Sequence, residues 1–246
     1  MKILFSPSES KSELAYLAPI NKSSFIFAEL FDKRLEVIKL YNDFVKYASI
    51  NELQDFFELK SEKEVQNLQN DLLKLKTCEA IKRYKGVAYD YLDFESLDEK
   101  AQNYVYENTL IFSNLFGVVQ AKDHLPLYKL KQGAKIKEFD TAKFYKTHFS
   151  KALDEFLQNE EIIDLRAGFY EKFYTLKQTY TSYKFLKNNK VVSHFAKAYR
   201  GTLLRILACF ECKSNQDLLT HLPHKLSVKE IKKQGLRQEI VLEIKD

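Results

Sequence analysis

Three short apolar segments, far apart in the chain, constrain the fold more than any other feature. They are Lys2–Phe5, Thr109–Ser113 and residues 162–165, and polar residues follow each of them at once. Short apolar runs that end in turn-forming residues are typical of strands buried on both faces. Longer segments between them carry apolar residues at helical spacing. We therefore predict an α+β or irregular α/β fold with a mixed sheet at its core.

The N-terminal third is predicted to be mainly helical. Residues 25–47 have apolar side chains at helical spacing, and residues 51–58 and 61–75 read as two further helices joined by a short turn. Ser61 is a suitable N-cap, and Glu64 three residues later completes a capping box. No linker rich in Ser or Gly interrupts the chain. We expect a single domain over residues 1–246 with a helical subdomain at about 25–80.

Residues 191–205 begin as a short strand and continue as a helix with two different sides. One side is apolar and aromatic. The other carries His194, Lys197, Arg200, Gly201 and Arg205. Glycine inside a helix costs about 1 kcal/mol relative to alanine, so close approach of a ligand or of another backbone should compensate for it. A cationic face with a gap in it favours an anion, and phosphate is the obvious candidate.

Polar residues follow four of the predicted strands. They are Glu9 and Lys11, Asn114 and Gly117, Asp164 and Arg166, and His194 and Lys197. Because ligands bind beyond the carboxyl ends of parallel strands, these residues are candidates for one shared cleft. Tyr89 and Tyr170 lie near basic residues and would stack on bases if exposed. The alternative is that the charged residues cap helices and form surface ion pairs, and that the tyrosines belong to the core.

Composition and missing motifs exclude several classes of protein. The 39 basic and 34 acidic side chains give a formal charge of +5, which permits a polyanionic partner without demanding one. The chain has no P-loop, GxGxxG, HExxH or GxSxG motif, so we predict no cofactor and no metal site. No run of about 18 apolar residues is present, and three cysteines do not suit a disulfide framework. We expect a cytoplasmic monomer that does not enter a membrane.

Five motifs resemble, in the same order, those of the YaaA family of peroxide stress proteins. They are FSPSESK at 5–11, YKGVAY at 84–89, NLFGVV at 114–119 with LYKL at 127–130, DLRAGFY at 164–170, and SHFAKAYRG at 193–201. One departure is the segment Gln120-Ala121-Lys122, which stands where the family commonly has an arginine-proline pair.

The resemblance implies a cytoplasmic protein with an unusual α/β fold and a positively charged cleft. It also implies DNA binding, with a helix-hairpin-helix-like element, and a role in limiting oxidative DNA damage linked to intracellular iron. Residues 51–75 are the nearest match to that element. A hairpin of this kind binds phosphate through backbone N–H groups at a helix N-terminus, and Lys60 and Lys63 would assist.

Two functions follow as hypotheses. The first is a DNA-binding protein of the peroxide response. The residues predicted to contact phosphate are Lys11, Lys60, Lys63, Arg166, Lys197, Arg200, Gly201 and Arg205. The alternative is an enzyme that acts on a nucleotide or on a base in DNA, with Glu9 as general acid or base and with Lys11 and Lys197 as electrophilic or phosphate-binding groups. An iron-handling protein is a third reading, but the sequence shows no cluster of carboxylates and histidines.

Overall fold

The computed structural model describes residues 1–245, and at positions 191, 193 and 194 it describes the backbone alone. The strands are β1 (Lys2–Phe5), β2 (Thr77–Glu79), β3 (Thr109–Ser113), β4 (Gly117–Gln120), β5 (His124–Pro126), β6 (Ile162–Asp164), β7 (Tyr180–Lys187), β8 (Lys190–Val191), β9 (Leu226–Gln234) and β10 (Arg237–Ile244). The helices are α1 (Phe31–Tyr47), α2 (Ile50–Phe57), α3 (Glu62–Gln66), α4 (Ala80–Arg83), α5 (Val87–Leu92), α6 (Glu99–Asn108), α7 (Thr141–Leu157), α8 (Ser193–Cys209) and α9 (Asn215–Thr220). This mixture confirms the predicted α+β class. Among these residues no helix has both the length and the apolar character needed to cross a membrane.

The central sheet places its strands in the order β4-β3-β1-β6-β7-β10-β9, and β8 pairs with the carboxyl end of β7. The five strands from β3 to β10 in this order run parallel, whereas the edge strands β4 and β9 are antiparallel to their neighbours. Ile3 of β1 lies between Thr109 of β3 and Ile163 of β6. The carboxyl ends of β1, β3 and β6 therefore meet at one edge of the sheet.

The strands predicted from short apolar runs are buried almost throughout. All five residues of β3 and all three of β6 are buried. Helices α6 and α7 pack against β4, and α8 packs against β7 and against α5. Continuous burial of this kind is typical of parallel strands, and it explains why these segments show no alternation of polar and apolar residues.

The helical N-terminal region is more irregular than the sequence spacing predicts. Helix α1 begins at Phe31 rather than at residue 25, and α3 ends at Gln66 rather than at residue 75. After α3, the side chain of Asn70 donates to the carbonyl of Asn67 at 2.7 Å, and Asp71 accepts from a backbone amide two residues later. Side-chain bonds of this kind compete with helical backbone bonds and end the helix.

The sequence pattern predicts helices up to about residue 234 and a last strand over 237–245. The structure instead has a strand, β9, over Leu226–Gln234, so the helical prediction is wrong there. Strand β9 pairs with β10 across a turn in which Gly235 has a φ of +57°. Seven of its nine residues are exposed. Because neither face is buried along most of its length, the strand has no alternating apolar residues and its lysines and glutamates resemble those of a solvated helix.

Candidate cationic cleft at the carboxyl edge of the sheet

The loop that follows β1 is tied to the loop that follows β6. The Oγ of Ser6 accepts a hydrogen bond from the backbone N–H of Ala167 at 2.8 Å. The hydroxyl of Tyr89, on α5, donates to the carbonyl of Ser6 at 2.9 Å. Three parts of the chain that are far apart in sequence therefore meet beyond the carboxyl ends of β1 and β6.

Arg83 anchors the next part of this loop. Its guanidinium donates to the carbonyls of Ser12, Leu14 and Leu125. Nearby, the backbone N–H of Lys85 donates to the carbonyl of Ser10 at 3.0 Å. These bonds fix the backbone on both sides of position 11 and so limit the positions that its side chain can take.

A cavity of about 350 Å³ opens at this edge, and we call it the strand-end cavity. Its lining includes five of the candidate residues: Glu9, Tyr89, Tyr170, Lys197 and Arg200. Loops after β1 and β6, helix α5 and helix α8 all contribute to it. Of the strand-end residues predicted to share one cleft, Glu9 and Lys197 line this cavity, whereas Asn114 lines a different one.

The charged groups of the two cationic residues that line the cavity have no hydrogen-bond or ion-pair partner among the described side chains. Lys197 is exposed and Arg200 is half-buried, and neither side-chain head group forms a hydrogen bond or ion pair with any residue whose side chain is described. Burial lowers the pKa of the Arg200 guanidinium, while the charge of Asp164 acts in the opposite direction. The Glu9 carboxylate, which lines the same cavity, accepts a long hydrogen bond, 3.3 Å, from the backbone N–H of Gln132.

The tyrosines of the cavity are not exposed, contrary to what base stacking requires. Tyr89 is 7% exposed, and its ring packs edge-on against Phe5 at a centroid distance of 5.5 Å. Tyr170 is 4% exposed and stacks on Phe173 at 6.0 Å. Other protein side chains cover both rings, because the two tyrosines belong to the core beneath this edge of the sheet.

Gly201 and Arg205 have structural partners in place of a ligand. A Cβ atom at Gly201 would lie 1.9 Å from the carbonyl oxygen of Ala88, so the glycine allows α8 to contact the backbone of α5. The guanidinium of Arg205 donates to the carbonyls of Leu92 and Asp93 at 2.8 and 3.0 Å, at the end of α5. The gap in the cationic face is thus filled by another backbone, which was one of the two explanations expected.

Arg166 lies beneath the cavity and not on its surface. Its guanidinium forms two bonds to the carboxylate of Asp164, at 2.9 and 2.8 Å, and donates to the carbonyls of Tyr170 and Tyr174. Both members of this ion pair are buried. Arg166 therefore organises the loop after β6, and a DNA phosphate has no access to it in this structure.

Lys11 lines a second cavity, of about 590 Å³, which we call the Lys11 cavity. Its Nζ lies 4.4 Å from the ring centre of Tyr128 and 5.6 Å from that of Tyr84. It donates to the carbonyls of Ser8 and Glu9 at 3.3 and 3.2 Å. Burial lowers the pKa of Lys11 to about 7. Glu9 lines both cavities and so stands at their junction.

This shift predicts a specific dependence of stability on pH. Between about pH 7 and pH 10.5 the unfolded chain keeps a proton on Lys11 that the folded protein releases, so the free energy of unfolding rises with pH in that window. We expect the stability of the wild type, relative to Lys11→Met, to increase from pH 7 to pH 9.5. Urea unfolding of both proteins at the two pH values measures the difference. An unchanged difference would show that Lys11 titrates normally.

Lys60 lies on the exposed turn between α2 and α3, and Lys63 is exposed in the first turn of α3; neither lines the strand-end cavity. Glu58, at the start of the turn, has left-handed backbone angles, and Ser61 caps α3 by accepting from the N–H of Glu64. Helix α3 has only five residues, two of them acidic in its first turn. The helix-hairpin-helix element accordingly stays a prediction.

Sequence reasoning did not identify Tyr128 as part of the surroundings of Lys11. The hydroxyl of Tyr128 is hydrogen-bonded to those of Ser113 and Tyr84, at 2.7 and 2.8 Å, beneath Lys11. Tyr84 and Tyr128 fall within the family-like motifs, which was the available signal. The side chain of His194 lies outside the described residues. Within the described part of the chain, no group of three His, Cys, Asp or Glu side chains is placed to hold a metal ion.

Comparison with known proteins identifies the family of this chain. A family model described as "Peroxide stress protein YaaA" matches residues 1–231. The chain belongs to the YaaA family. This confirms the resemblance inferred from the five motifs, and the strand-end cavity is therefore a feature of a YaaA-family protein.

Several relatives of this YaaA-family chain carry names without an activity. An uncharacterized protein of Campylobacter jejuni, Cj0984, is 60% identical over 246 residues and covers all of both chains. The UPF0246 protein CE1889 of Corynebacterium efficiens is 34% identical over 85% of each chain. The UPF0246 protein FN1762 of Fusobacterium nucleatum is 28% identical over 89% of this chain and 90% of its own.

Proposed function

We propose that this protein binds DNA in the cytoplasm through the strand-end cavity and protects it during peroxide stress. The observation that supports the proposal is the pair Lys197 and Arg200, which face one cavity without a described partner. The stress context comes from the name of the family. Unpaired cations at a strand-end cleft are the arrangement expected for a phosphate-bearing ligand.

The two cations would contribute differently to binding. The Arg200 guanidinium is suited to bidentate contact with phosphate oxygens, whereas Lys197 acts as a point charge on a flexible stem. They are three positions apart on α8, so both side chains project from neighbouring positions on one side of the helix. Each phosphate that they neutralise releases counterions, and binding should weaken steeply as salt rises.

The salt dependence of binding tests this proposal. We expect Lys197→Ala and Arg200→Ala each to weaken binding about tenfold at low salt, the effect of one charge-assisted hydrogen bond. Each change should also reduce the slope of log K against log salt by about 1. Fluorescence anisotropy with a short labelled duplex, over a range of salt concentrations, measures both quantities.

The matched control is Lys151→Ala, which removes an exposed lysine from α7. It should leave the affinity and the slope close to those of the wild type. The double variant Lys60→Ala/Lys63→Ala separately tests the turn between α2 and α3 together with the first turn of α3. If the wild type shows no measurable binding at low salt, or if Lys151→Ala has the same effect as Arg200→Ala, the proposed interface is wrong.

Glu9 favours a second function, an enzyme that acts on a nucleotide or on a base in DNA. A carboxylate adds nothing to plain phosphate binding, yet Glu9 lines the same cavity as Lys197 and Arg200. The cavity volume of about 350 Å³ lies in the range of small-molecule sites. In this reading the cations hold the phosphate, and Glu9 accepts or donates a proton at the reacting group.

Replacing Glu9 by glutamine separates the two functions. For a binding protein, Glu9→Gln should bind DNA as well as the wild type, or better, because a negative charge is lost beside the phosphate. For an enzyme, the same variant should lose about 100-fold or more in rate while it still binds, the usual contribution of a general acid or base. A complementation assay under peroxide serves as the readout, and full protection by Glu9→Gln would exclude the enzymatic role.

A further inference from the structure

The side chain of Lys11 has the surroundings of a reactive amine. Its Nζ rests on the faces of two tyrosine rings whose hydroxyls are bonded to each other. Its two hydrogen-bond acceptors are backbone carbonyls, so neither supplies the full negative charge that would hold a proton on the nitrogen. A neutral amine can donate to both carbonyls and still keep its lone pair for reaction.

Burial and the charged neighbours of Lys11 shift its pKa in opposite directions. Burial is the largest influence and lowers its pKa to about 7, and the positive charges of Lys129 and Arg83 lower it further. Glu9 raises it. Nearby Tyr84 and Tyr128 are neutral at this pH, because burial raises the pKa of both hydroxyls. Near pH 7 a large fraction of Lys11 is thus free amine, unlike an ordinary surface lysine.

We propose that Lys11 is a nucleophile that forms a reversible imine with an aldehyde that also carries a phosphate. The lone pair of Nζ attacks the aldehyde carbon, the C=O π bond breaks as the C–N bond forms, and Glu9 relays one Nζ proton to the oxygen to give a carbinolamine. Glu9 then takes the second Nζ proton and delivers it to the hydroxyl, which leaves as water while the C=N bond forms, so Glu9 ends as the carboxylate it began as. The sum is one aldehyde and one amine giving one imine and one water, so no oxidant or reductant is required.

Two features of the Lys11 cavity fit this ligand. The tyrosine faces that lie under Nζ stabilise a cation, and the protonated imine is a cation at the same position. The cavity is also lined by Lys129 and by Lys131, which forms an ion pair with Glu58. Lys129 would bind the phosphate, and Lys131 would join it by exchanging Glu58 for a phosphate oxygen. Such an aldehyde comes either from a free phosphorylated sugar or from an abasic site in DNA, and the second source rests on the proposed DNA binding.

Reductive trapping tests the inference on the full-length protein. Sodium cyanoborohydride converts an imine to a stable secondary amine, and peptide mapping by mass spectrometry locates it. The probes are glyceraldehyde 3-phosphate, glyceraldehyde without phosphate, and an oligonucleotide with one abasic site. We expect the adduct on Lys11 with the phosphorylated probes and little with glyceraldehyde. Lys11→Arg should lose it, and the control Lys151→Arg should keep it.

The pH profile supplies a readout that does not depend on any variant. From pH 7 to pH 9 the free-amine fraction of Lys11 changes about twofold, whereas that of an ordinary lysine rises about 100-fold. Adducts spread over surface lysines, or an adduct on Lys11 that rises about 100-fold, would overturn the inference. DNA binding without an adduct refutes only the imine, and an adduct with the small aldehyde but no DNA binding refutes only the proposed function.

Discussion

Gly201→Ala is expected to destabilise the protein by about 2 kcal/mol or more. The new Cβ atom would lie 1.9 Å from the carbonyl oxygen of Ala88 and 2.8 Å from its carbon, so α8 and α5 must separate. Overpacking costs typically 1–3 kcal/mol and occasionally more, and a clash with rigid backbone belongs at the upper end, about 3 kcal/mol or more. Roughly 1 kcal/mol of helix propensity is gained in return, which leaves about 2 kcal/mol or more. Thermal unfolding should show a midpoint lowered by roughly 5 °C.

Gly168→Ala is the matched control for this change. Its Cβ atom would meet only the flexible side chain of Glu171, at 3.9 Å, so we expect stability within about 0.5 kcal/mol of the wild type. Because α8 also carries Lys197 and Arg200, Gly201→Ala should weaken DNA binding as well as folding. Equal midpoints for the two glycine variants would mean that α5 and α8 are not packed as described.

Arg166→Met is expected to cost about 3–5 kcal/mol in unfolding free energy, the usual result of removing one member of a buried ion pair. The carboxylate of Asp164 would stay buried with only the backbone N–H of Arg166 as donor. The carbonyls of Tyr170 and Tyr174 would also lose their partner. Urea denaturation monitored by circular dichroism measures the loss.

A double-mutant cycle shows whether the pair itself is responsible. Asp164→Leu/Arg166→Met leaves no isolated charge, so it should be more stable than Arg166→Met alone. As a surface comparison, Lys151→Met breaks an exposed contact with Glu155 at 3.9 Å and should cost less than about 1 kcal/mol. If the double variant is less stable than Arg166→Met, the buried charge of Asp164 is not the main cause of the loss. The lost hydrogen bonds from Arg166 to the carbonyls of Tyr170 and Tyr174 would then be the larger effect.

The sequence predicts the buried strands of this fold well. β1 and β3 have the predicted bounds, and β6 is one residue shorter than expected. Burial on both faces explains this success, since it demands an unbroken apolar run that few other structures need. The short strand β2 was missed, because three residues carry too little pattern to be separated from a loop.

The site was predicted in part, and the limits have a physical cause. Sequence spacing places Lys197 and Arg200 together, because both lie on one helix. It does not show that Arg166 points inward to Asp164, or that Tyr89 and Tyr170 are covered by other rings. Those outcomes depend on contacts between distant segments, which periodicity within one segment does not report. The desolvation of Lys11 has the same origin, because its tyrosines come from positions 84 and 128.

The charged character of β9 has a consequence for how this protein behaves in solution. Strand β9 lies at the edge of the sheet, so within the described residues one row of its backbone N–H and C=O groups has no neighbouring strand. Such a row is a template on which another chain can add a strand and start aggregation. Lys229, Glu230, Lys232 and Lys233 lie along it, and desolvating those charges opposes this pairing. The charged residues that make β9 resemble a solvated helix in the sequence thus oppose aggregation of the folded protein.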